Sequence, residues 1–359
     1  MNKKIVFSAG GTGGHIFPTI NLMKFFHNNN YEVLLITDSR GKSLINKYLK
    51  FNSYTINSGT FSNKNIFLKF LSFFLILFSI IKSIFILVKE KPNLVFGLGG
   101  YVSFPISFAS KFLNIPLVIY ENNLILGRTN KYLLPFSKKI LLGTAKPINF
   151  PKKYENKISL VGNILKEEIM NYKLLKKKQE KENFTILVLG GSQGAKIFGD
   201  IIPLVIKKLK DKGHKIEILQ QSIEFQKNSI IEFYNKNNIK NNVFSFTNNI
   251  LDLISLSDLA ISRSGASTIA ELTQTCTPFI AVPYPFSVDN HQYLNAKHYE
   301  SKGCCWLINQ NNLDAINLFN LIIKIIENRN ILENARENMK KNGSKDVYNK
   351  IKKEIEEII

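Results

Sequence analysis

Cysteine is scarce in this chain of 359 residues, and the three present, Cys276, Cys304 and Cys305, show neither CxxC spacing nor a nearby histidine cluster. That excludes a disulfide framework and a sulfur-ligated zinc site. The three read instead as small buried apolar side chains in a reducing compartment. Negative charge is also short: 27 Asp and Glu against 48 Lys and Arg leave a formal charge of +21. Such an excess calls for an acidic partner, a nucleic acid or an anionic membrane. Drift of composition toward Lys, Asn and Ile would spread the same charge without function. No RNA-binding signature and no basic helix interleaved with stacking aromatics is present, so nucleic acid is the weaker choice. No signal peptide precedes the first apolar run, which follows two lysines, and the expected place of work is the cytoplasm.

What is present begins with GGTGGH, Gly10 to His15, directly after the apolar run Ile5-Val6-Phe7. An apolar strand, a glycine turn and a following helix make a unit suited to anionic groups. Glycine lets the backbone approach closely, and the helix start offers N–H groups without partners. The loop lacks the Lys-Ser/Thr ending of a P-loop and the spacing GxGxxG, so alone it says little. A second copy gives it weight. TILVLGGSQGA, Thr185 to Ala195, repeats the grammar in the other half of the chain. Two such units in a chain of this length predict two similar α/β domains facing each other across a cleft.

In chain order, strand 5–9, a helix around 19–28 and strand 31–36 form a βαβ unit that favours a parallel sheet. A helical pattern at 43–50 and a short strand at 54–57 follow. Strand 93–98 leads into GLGGYVS, and strand 116–120 ends in Glu121-Asn122-Asn123. Open parallel sheets bind ligands beyond such strand ends, which makes that carboxylate and those amides site candidates. Helix 126–134, strand 139–142 and a loop at 150–159 complete the first domain, taken as 1–160. A lysine-rich connector, 171–183, enters a second domain taken as 161–345, with strands at 185–190, 215–219, 243–246, 259–262 and 279–282. Two polar clusters stand out there. Ser264 to Thr268 opens the helix that carries Glu271, and Asp289, Asn290, His291, Gln292 and Asn295 follow the last strand. The tail, 346–359, is an amphipathic helix able to pack back on the first domain.

Segment 66–88, IFLKFLSFFLILFSIIKSIFILV, is long and apolar enough to span a bilayer. At 100° per residue Phe70, Phe73, Phe74, Leu77, Ile81, Ile84 and Phe85 share an apolar arc. The opposite arc mixes Lys69, Ser72, Ser79, Lys82 and Ser83 with Leu71, Leu75, Ile76 and Ile86. A true span would put strands 5–9 and 94–98 of one sheet on opposite sides of the membrane. The favoured reading packs the apolar arc on its own sheet. Leu75, Ile76 and Ile86, with Lys69 and Lys82, then dip among anionic headgroups.

GGTGGH, GLGGYVS, the Glu-Asn pair after PLVIY, VGN, GGSQGA, RSGAST..E and PYPFSVDNHQ..NA, in this order over nearly the whole chain, resemble the MurG family. The resemblance implies a GT-B fold of two Rossmann-like domains. It also implies inverting, metal-independent transfer of N-acetylglucosamine from UDP-GlcNAc to lipid I, giving lipid II for peptidoglycan. No cofactor is implied. The partners implied are the two substrates, an anionic membrane surface at the cytoplasmic face of the inner membrane, and cell-wall and division proteins. By it, Ser192 and Gln193 approach the nucleotide-sugar, and Ala266, Ser267 and Thr268, continuing into Ile269 and Ala270, the pyrophosphate. Glu271 binds ribose, and Gln292 and Asn295 the GlcNAc hydroxyls. Thr12, Gly13, Gly14, His15, Tyr101, Glu121 and Asn123 line the acceptor side, with Thr12, Gly13, Gly14 and Asn123 also within reach of UDP-GlcNAc. Departures occur. The family's His-Glu-Gln-Asn is Tyr120-Glu121-Asn122-Asn123, its Asn-Pro-Val-Arg is Asn163-Ile164-Leu165-Lys166, and its Ala-Leu-Thr is Ala266-Ser267-Thr268. Thr247 stands where the family has an apolar residue near the uracil, and Lys166 lacks the guanidinium fork.

Inversion needs one base for the acceptor hydroxyl. His15 is the candidate because imidazole titrates near neutrality, with Glu121 as the alternative. Departing UDP would be met by helix N-terminal amides, since no Asp-x-Asp sits at a strand end. Two other readings remain: a GT-B transferase for another acceptor, and a non-catalytic membrane-bound UDP-sugar sensor. The sensor would keep Glu271 and Gln292 without needing His15.

Overall fold

Among the described residues each strand pairing is parallel. The computed structural model describes residues 3–10, 13–48, 51–57, 59, 66–172, 182–191 and 195–359, the side chains of 44–48 and 66–69 excepted. Contacts divide the chain into two units, 1–166 with 344–359, and 167–343.

The first unit runs β1 (Lys4–Ser8), α1 (Gly13–Asn28), β2 (Glu32–Thr37), α2 (Ser39–Tyr48), β3 (Ser53–Thr55), α3 (Ile66–Glu90) and β4 (Leu94–Gly97). It continues with α4 (Ser103–Phe112), β5 (Leu117–Glu121), α5 (Arg128–Leu133), β6 (Lys139–Leu142) and β7 (Ile158–Leu160). Its sheet has the order β3-β2-β1-β4-β5-β6-β7. Helices cover both faces of such a sheet, so its central strands are continuous apolar runs, not alternating ones. Ile5, Val6, Phe7, Leu94, Val95 and Phe96 are all fully buried.

The second unit runs α6 (Glu167–Met170), β8 (Phe184–Leu189), α7 (Lys196–Asp211), β9 (Ile216–Gln221), α8 (Glu224–Lys236), β10 (Lys240–Phe244), α9 (Ile250–Leu256) and β11 (Leu259–Ser262). Then come α10 (Ala266–Gln274), β12 (Phe279–Ala281), α11 (His291–Ser301), β13 (Cys305–Leu307), α12 (Ala315–Glu327) and α13 (Arg329–Asn342). The sheet order is β10-β9-β8-β11-β12-β13. In α14 (Val347–Glu356) the chain is back on the first unit. There Glu354 meets Lys139 at 2.7 Å, Tyr31 donates to Glu356 at 3.0 Å, and the rings of Tyr348 and Phe25 lie 5.0 Å apart.

Strands β7 and β13 correct the sequence reading, which left 150–159 as loop and did not mark 305–307. Both have three residues and lie at sheet edges, too short for a periodic signal. Most of the connector placed at 171–183 lies outside the described residues.

The larger correction concerns α3. Its serines face inward: Ser72, Ser79 and Ser83 are buried, and so are Ile76 and Ile86, placed on the outer side above. The arc assigned to the sheet faces out, with Phe70, Phe73, Phe74, Leu77, Ile81 and Phe85 exposed and Phe85 at 71%. Leu75 is exposed, as expected. Small side chains explain the inversion. A Cβ on Gly59 would stand 2.7 Å from the Ser72 carbonyl, so backbone passes close to that face. The serine hydroxyls also bond within the local backbone, Ser79 to Leu75 and Asn57 and Ser83 to Ser79, all at 2.6–2.7 Å. A hydroxyl satisfied in this way is cheap to bury. Lys82 donates to the Thr55 carbonyl at 3.0 Å, beside β3. The side chain of Lys69 lies outside the described residues. Because α3 joins β3 to β4, two strands of one parallel sheet, it cannot cross a bilayer without separating them.

Candidate active site

In each sheet the strand order reverses at one point, between β1 and β4 and between β8 and β11. Loops diverge there at the carboxyl ends of strands and leave a crevice for ligands. The four glycine-bearing motifs are the loops after those four strands.

In the first unit the glycine loops after β1 and β4 pack closely, backbone on backbone between Gly10 and Gly100. Gly100 has φ +82°, and a Cβ on it would stand 2.4 Å from the Gly10 carbonyl oxygen. Gly99 has φ +97°, and its absent side chain leaves room for the His15 ring, 2.8 Å from where that Cβ would be. A Cβ on Gly10 would meet Val102 at 2.7 Å. His15 thus sits in the first turn of α1, its ring on a bare glycine. Thr19 donates to its carbonyl at 2.7 Å. Gly13 and Gly14 open the same helix, and Thr12 lies outside the described residues. Tyr101, next to Gly100, is 43% exposed.

Glu121 ends β5 and is buried at 4% exposure. Its Oε1 accepts from the backbone N–H and the side-chain amide of Asn123, at 3.0 and 3.1 Å. Its Oε2 accepts from Gly127 N–H and Asn130 Nδ2, at 2.7 and 3.0 Å. Four donors on one carboxylate hold the loop 121–130 closed and turn its lone pairs inward. Asn130, which the sequence reading missed, also donates to the Tyr120 carbonyl at 2.9 Å. Nothing in Arg-Thr-Asn-Lys signals that role. Lys166, half-buried, is the last residue of the unit before its tail returns.

In the second unit, side chains hold the loops. Gly190 N–H donates to Gln221 Oε1 at 3.1 Å, and Gln221 Nε2 donates to the Ser245 carbonyl at 3.2 Å. One amide therefore joins the loop after β8 to the loop carrying Thr247. Gln221 was missed although it ends β9, where the strand-end rule points. Thr247 accepts from Asn249 N–H at 3.0 Å, in a local hydroxyl turn. Gly191 has φ +85° and open space around its missing Cβ. Ser192 and Gln193 lie outside the described residues.

The first intrahelical bond of α10 runs from Ile269 N–H to the Gly265 carbonyl at 3.0 Å. The amides of Ala266, Ser267 and Thr268 precede it at the positive end of the helix, where Gly265 has no side chain to cap them. Ile269 and Ala270 are buried and anchor that end, while Glu271 is half-buried in the next turn. Gln292 Oε1 accepts from Ser264 N–H at 3.2 Å and Tyr284 N–H at 3.0 Å, and Asn295, 3% exposed, donates to the Ser264 carbonyl at 3.4 Å. The structure thus groups Ser264–Glu271, Gln292 and Asn295. Asp289 and Asn290 before them both take left-handed backbone, φ +51° and +56°.

Two parallel sheets with ligand-binding loops at their switch points are the architecture of enzymes that act on sugar nucleotides, and the family models specify the class. The glycosyltransferase family 28 N-terminal domain matches residues 5–142, and the family 28 C-terminal domain residues 185–351. A protein of Pelagibacter ubique is 36% identical over 100% of this chain and 99% of its own. One of Rickettsia canadensis is 38% identical over 99% and 100%. Both are named UDP-N-acetylglucosamine–N-acetylmuramyl-(pentapeptide) pyrophosphoryl-undecaprenol N-acetylglucosamine transferase. The crystal structure of Acinetobacter baumannii MurG shares the fold, with a TM-score of 0.83 at 24% identity over 99% of both chains. This chain belongs to the MurG family, and its fold is GT-B.

Proposed function

We propose that this enzyme transfers N-acetylglucosamine from UDP-GlcNAc to the MurNAc 4-hydroxyl of lipid I, with inversion, to give lipid II for peptidoglycan. The observation that carries it is identity of 36–38% over full length to enzymes named for that transfer. The placement of the loops after β1, β4, β8 and β11 supports it.

In this reading the acceptor hydroxyl attacks the anomeric carbon, UDP departs, and His15 takes the proton. Its seat on Gly99 supports that role, because a ring backed by glycine is positioned without being enclosed. The four donors on Glu121 support a different role for that residue, as the staple of the acceptor loop with Asn123. Thr12, Gly13, Gly14 and Tyr101 complete the acceptor side. On the donor side the amides of Ala266 to Thr268 receive the diphosphate, Ser192 and Gln193 the nucleotide-sugar, Glu271 the ribose and Thr247 the uracil. Lys166 adds a point charge. Gln292 offers GlcNAc a donor, Nε2, since its Oε1 is engaged by two backbone amides. Asn295 orients the same loop.

The acceptor's polyprenyl chain stays in the bilayer, so the first unit must work at the cytoplasmic face of the inner membrane. The outward face of α3, from Phe70 to Phe85, is the apolar surface suited to shallow insertion, with Lys82 and Lys89 near the headgroups. Cell-wall and division proteins are further partners of an enzyme so placed. Incubation with radiolabelled UDP-GlcNAc and lipid I is the test. A labelled lipid product is expected, and label passing only to another acceptor would move the enzyme to a different GT-B activity.

A further inference from the structure

Arg263 follows β11 directly and opens the loop to α10. It is 8% exposed. Nη1 donates to the carbonyls of Val282 and Pro283, each at 3.2 Å, and Nη2 donates to Gln310 Oε1 at 2.6 Å. The guanidinium lies 5.0 Å from the ring centre of Phe198 and 5.5 Å from that of Tyr284. All these partners are neutral. Among the described residues no carboxylate pairs with it, and burial pulls its pKa below the usual arginine value.

A buried cation without a counter-ion is expensive, and carbonyls and ring faces return only part of the cost. A carboxylate at position 310 would relieve it with one atom changed, yet the chain has an amide there. The location explains the choice. Arg263 N–H donates to the Leu189 carbonyl at 3.0 Å, so the residue joins the strand end that leads to Gly190-Gly191 to the one that leads to Ala266–Thr268. These are the two loops assigned above to the nucleotide-sugar and its diphosphate.

We propose that Arg263, whose backbone joins these loops, is a buried positioning residue whose uncompensated charge is the counter-charge of the bound diphosphate, and that Gln310 must stay neutral so as not to cancel it. This rests on the donor-site reading above. The charge acts through the loops without touching the ligand, and it also favours the extra negative charge on departing UDP.

The test is Gln310→Glu, nearly isosteric and able to keep the 2.6 Å contact as an ion pair. Thermal unfolding and titrations with UDP and with uridine, at low ionic strength, are compared with wild type. The variant should melt higher and bind UDP about three- to tenfold more weakly, with uridine affinity unchanged. A purely structural clamp would raise the melting temperature and leave UDP binding alone. Arg263→Lys is the converse, keeping the charge and losing the fork, and should melt lower while retaining the UDP-to-uridine affinity ratio. Gln310→Glu binding UDP like wild type, or losing UDP and uridine equally, overturns the inference alone. Wild-type protein that binds neither overturns the donor-site reading beneath it.

Discussion

The glycine loops of the two units are held by different means, although loop 121–130 of the first is itself stapled by the Glu121 side chain. In the first, bare glycines let neighbours come close, the Gly10 backbone onto Gly100 and the His15 ring onto Gly99, with no room for a methyl group. In the second, long polar side chains staple the loops: Gln221 across Gly190 and Ser245, Gln292 across Ser264 and Tyr284. Backbone packing gives a rigid seat for a proton-transferring group, which must stand within a fraction of an ångström of its target. Side-chain staples leave amides projecting to receive a diphosphate. On the function proposed above, the difference would separate chemistry from donor binding, and substitutions test that separation.

The largest effect is expected at His15. His15→Ala should lower turnover by about two to four orders of magnitude as a lost general base. UDP-GlcNAc affinity, proposed to rest mainly on the other unit, should stay near wild type. A loss below tenfold at saturating substrates would leave His15 a positioning residue and blur the division. Next comes α3, where the two faces of one helix should respond differently. Phe78→Asp with Phe85→Asp replaces two exposed rings, worth about 1.5–3 kcal/mol each on insertion, and should release the protein from anionic vesicles without unfolding it. Added salt should weaken wild-type binding only in part, because it screens lysines and not rings. Ile76→Asp, on the buried face, should unfold the unit instead. Vesicle binding that survives the double substitution would rule out this face as the anchor.

A smaller contrast concerns the glycines themselves. Gly191→Ala meets open space and should cost only the left-handed backbone term, about 1–2 kcal/mol. Gly100→Ala carries the same term and also a contact of 2.4 Å with the Gly10 carbonyl, so its loss in thermal unfolding should be clearly greater. Equal losses would mean that the first unit's loops can give way, against the packing argument. Glu271→Ala should weaken UDP-GlcNAc binding by about 1–3 kcal/mol if a charged hydrogen bond to ribose is removed, with turnover at saturation little changed. Unchanged affinity in titration would take Glu271 out of the site.

The sequence displayed the sheets and their loops because both depend on local pattern. Fully buried parallel strands must be apolar runs, and a loop with φ above +80° at Gly99, Gly100 and Gly191 needs glycine. The orientation of α3 was illegible for the same physical reason. Periodicity shows which residues share an arc, but a sheet and a membrane are both apolar, so the pattern cannot say which arc meets which. Ser72, Ser79 and Ser83 held the answer, since small residues allow close approach, yet hydropathy counts them as polar. Gln221, Asn130 and Gln310 stayed hidden for another reason. Each acts on backbone or on a residue distant in sequence, and only the folded chain brings the partners together.

The smallest expected effect lies where the tail rejoins the first unit. Burial raises the pKa of Glu354, but hydrogen bonds from Lys139 and Ser159, with the charges of Lys139 and Lys353, outweigh it and leave the carboxyl below its usual value. A carboxylate depressed in the folded state stabilises above its unfolded pKa, and that contribution is lost as pH falls through the folded pKa. The tail should therefore loosen in acid, below the ordinary Glu range, and not in base. Both side chains are partly exposed, Lys139 at 30% and Glu354 at 21%, so the pair is worth about 1 kcal/mol or less. Buried Val347, Ile351 and Ile355 hold α14 without it. Glu354→Gln should accordingly lower the unfolding temperature by a few degrees at neutral pH and converge with wild type in acid. Hydrogen exchange in 347–356 should rise only modestly. A large loss of protection there at neutral pH would make the ion pair, and not the apolar face, what binds the tail to the first unit.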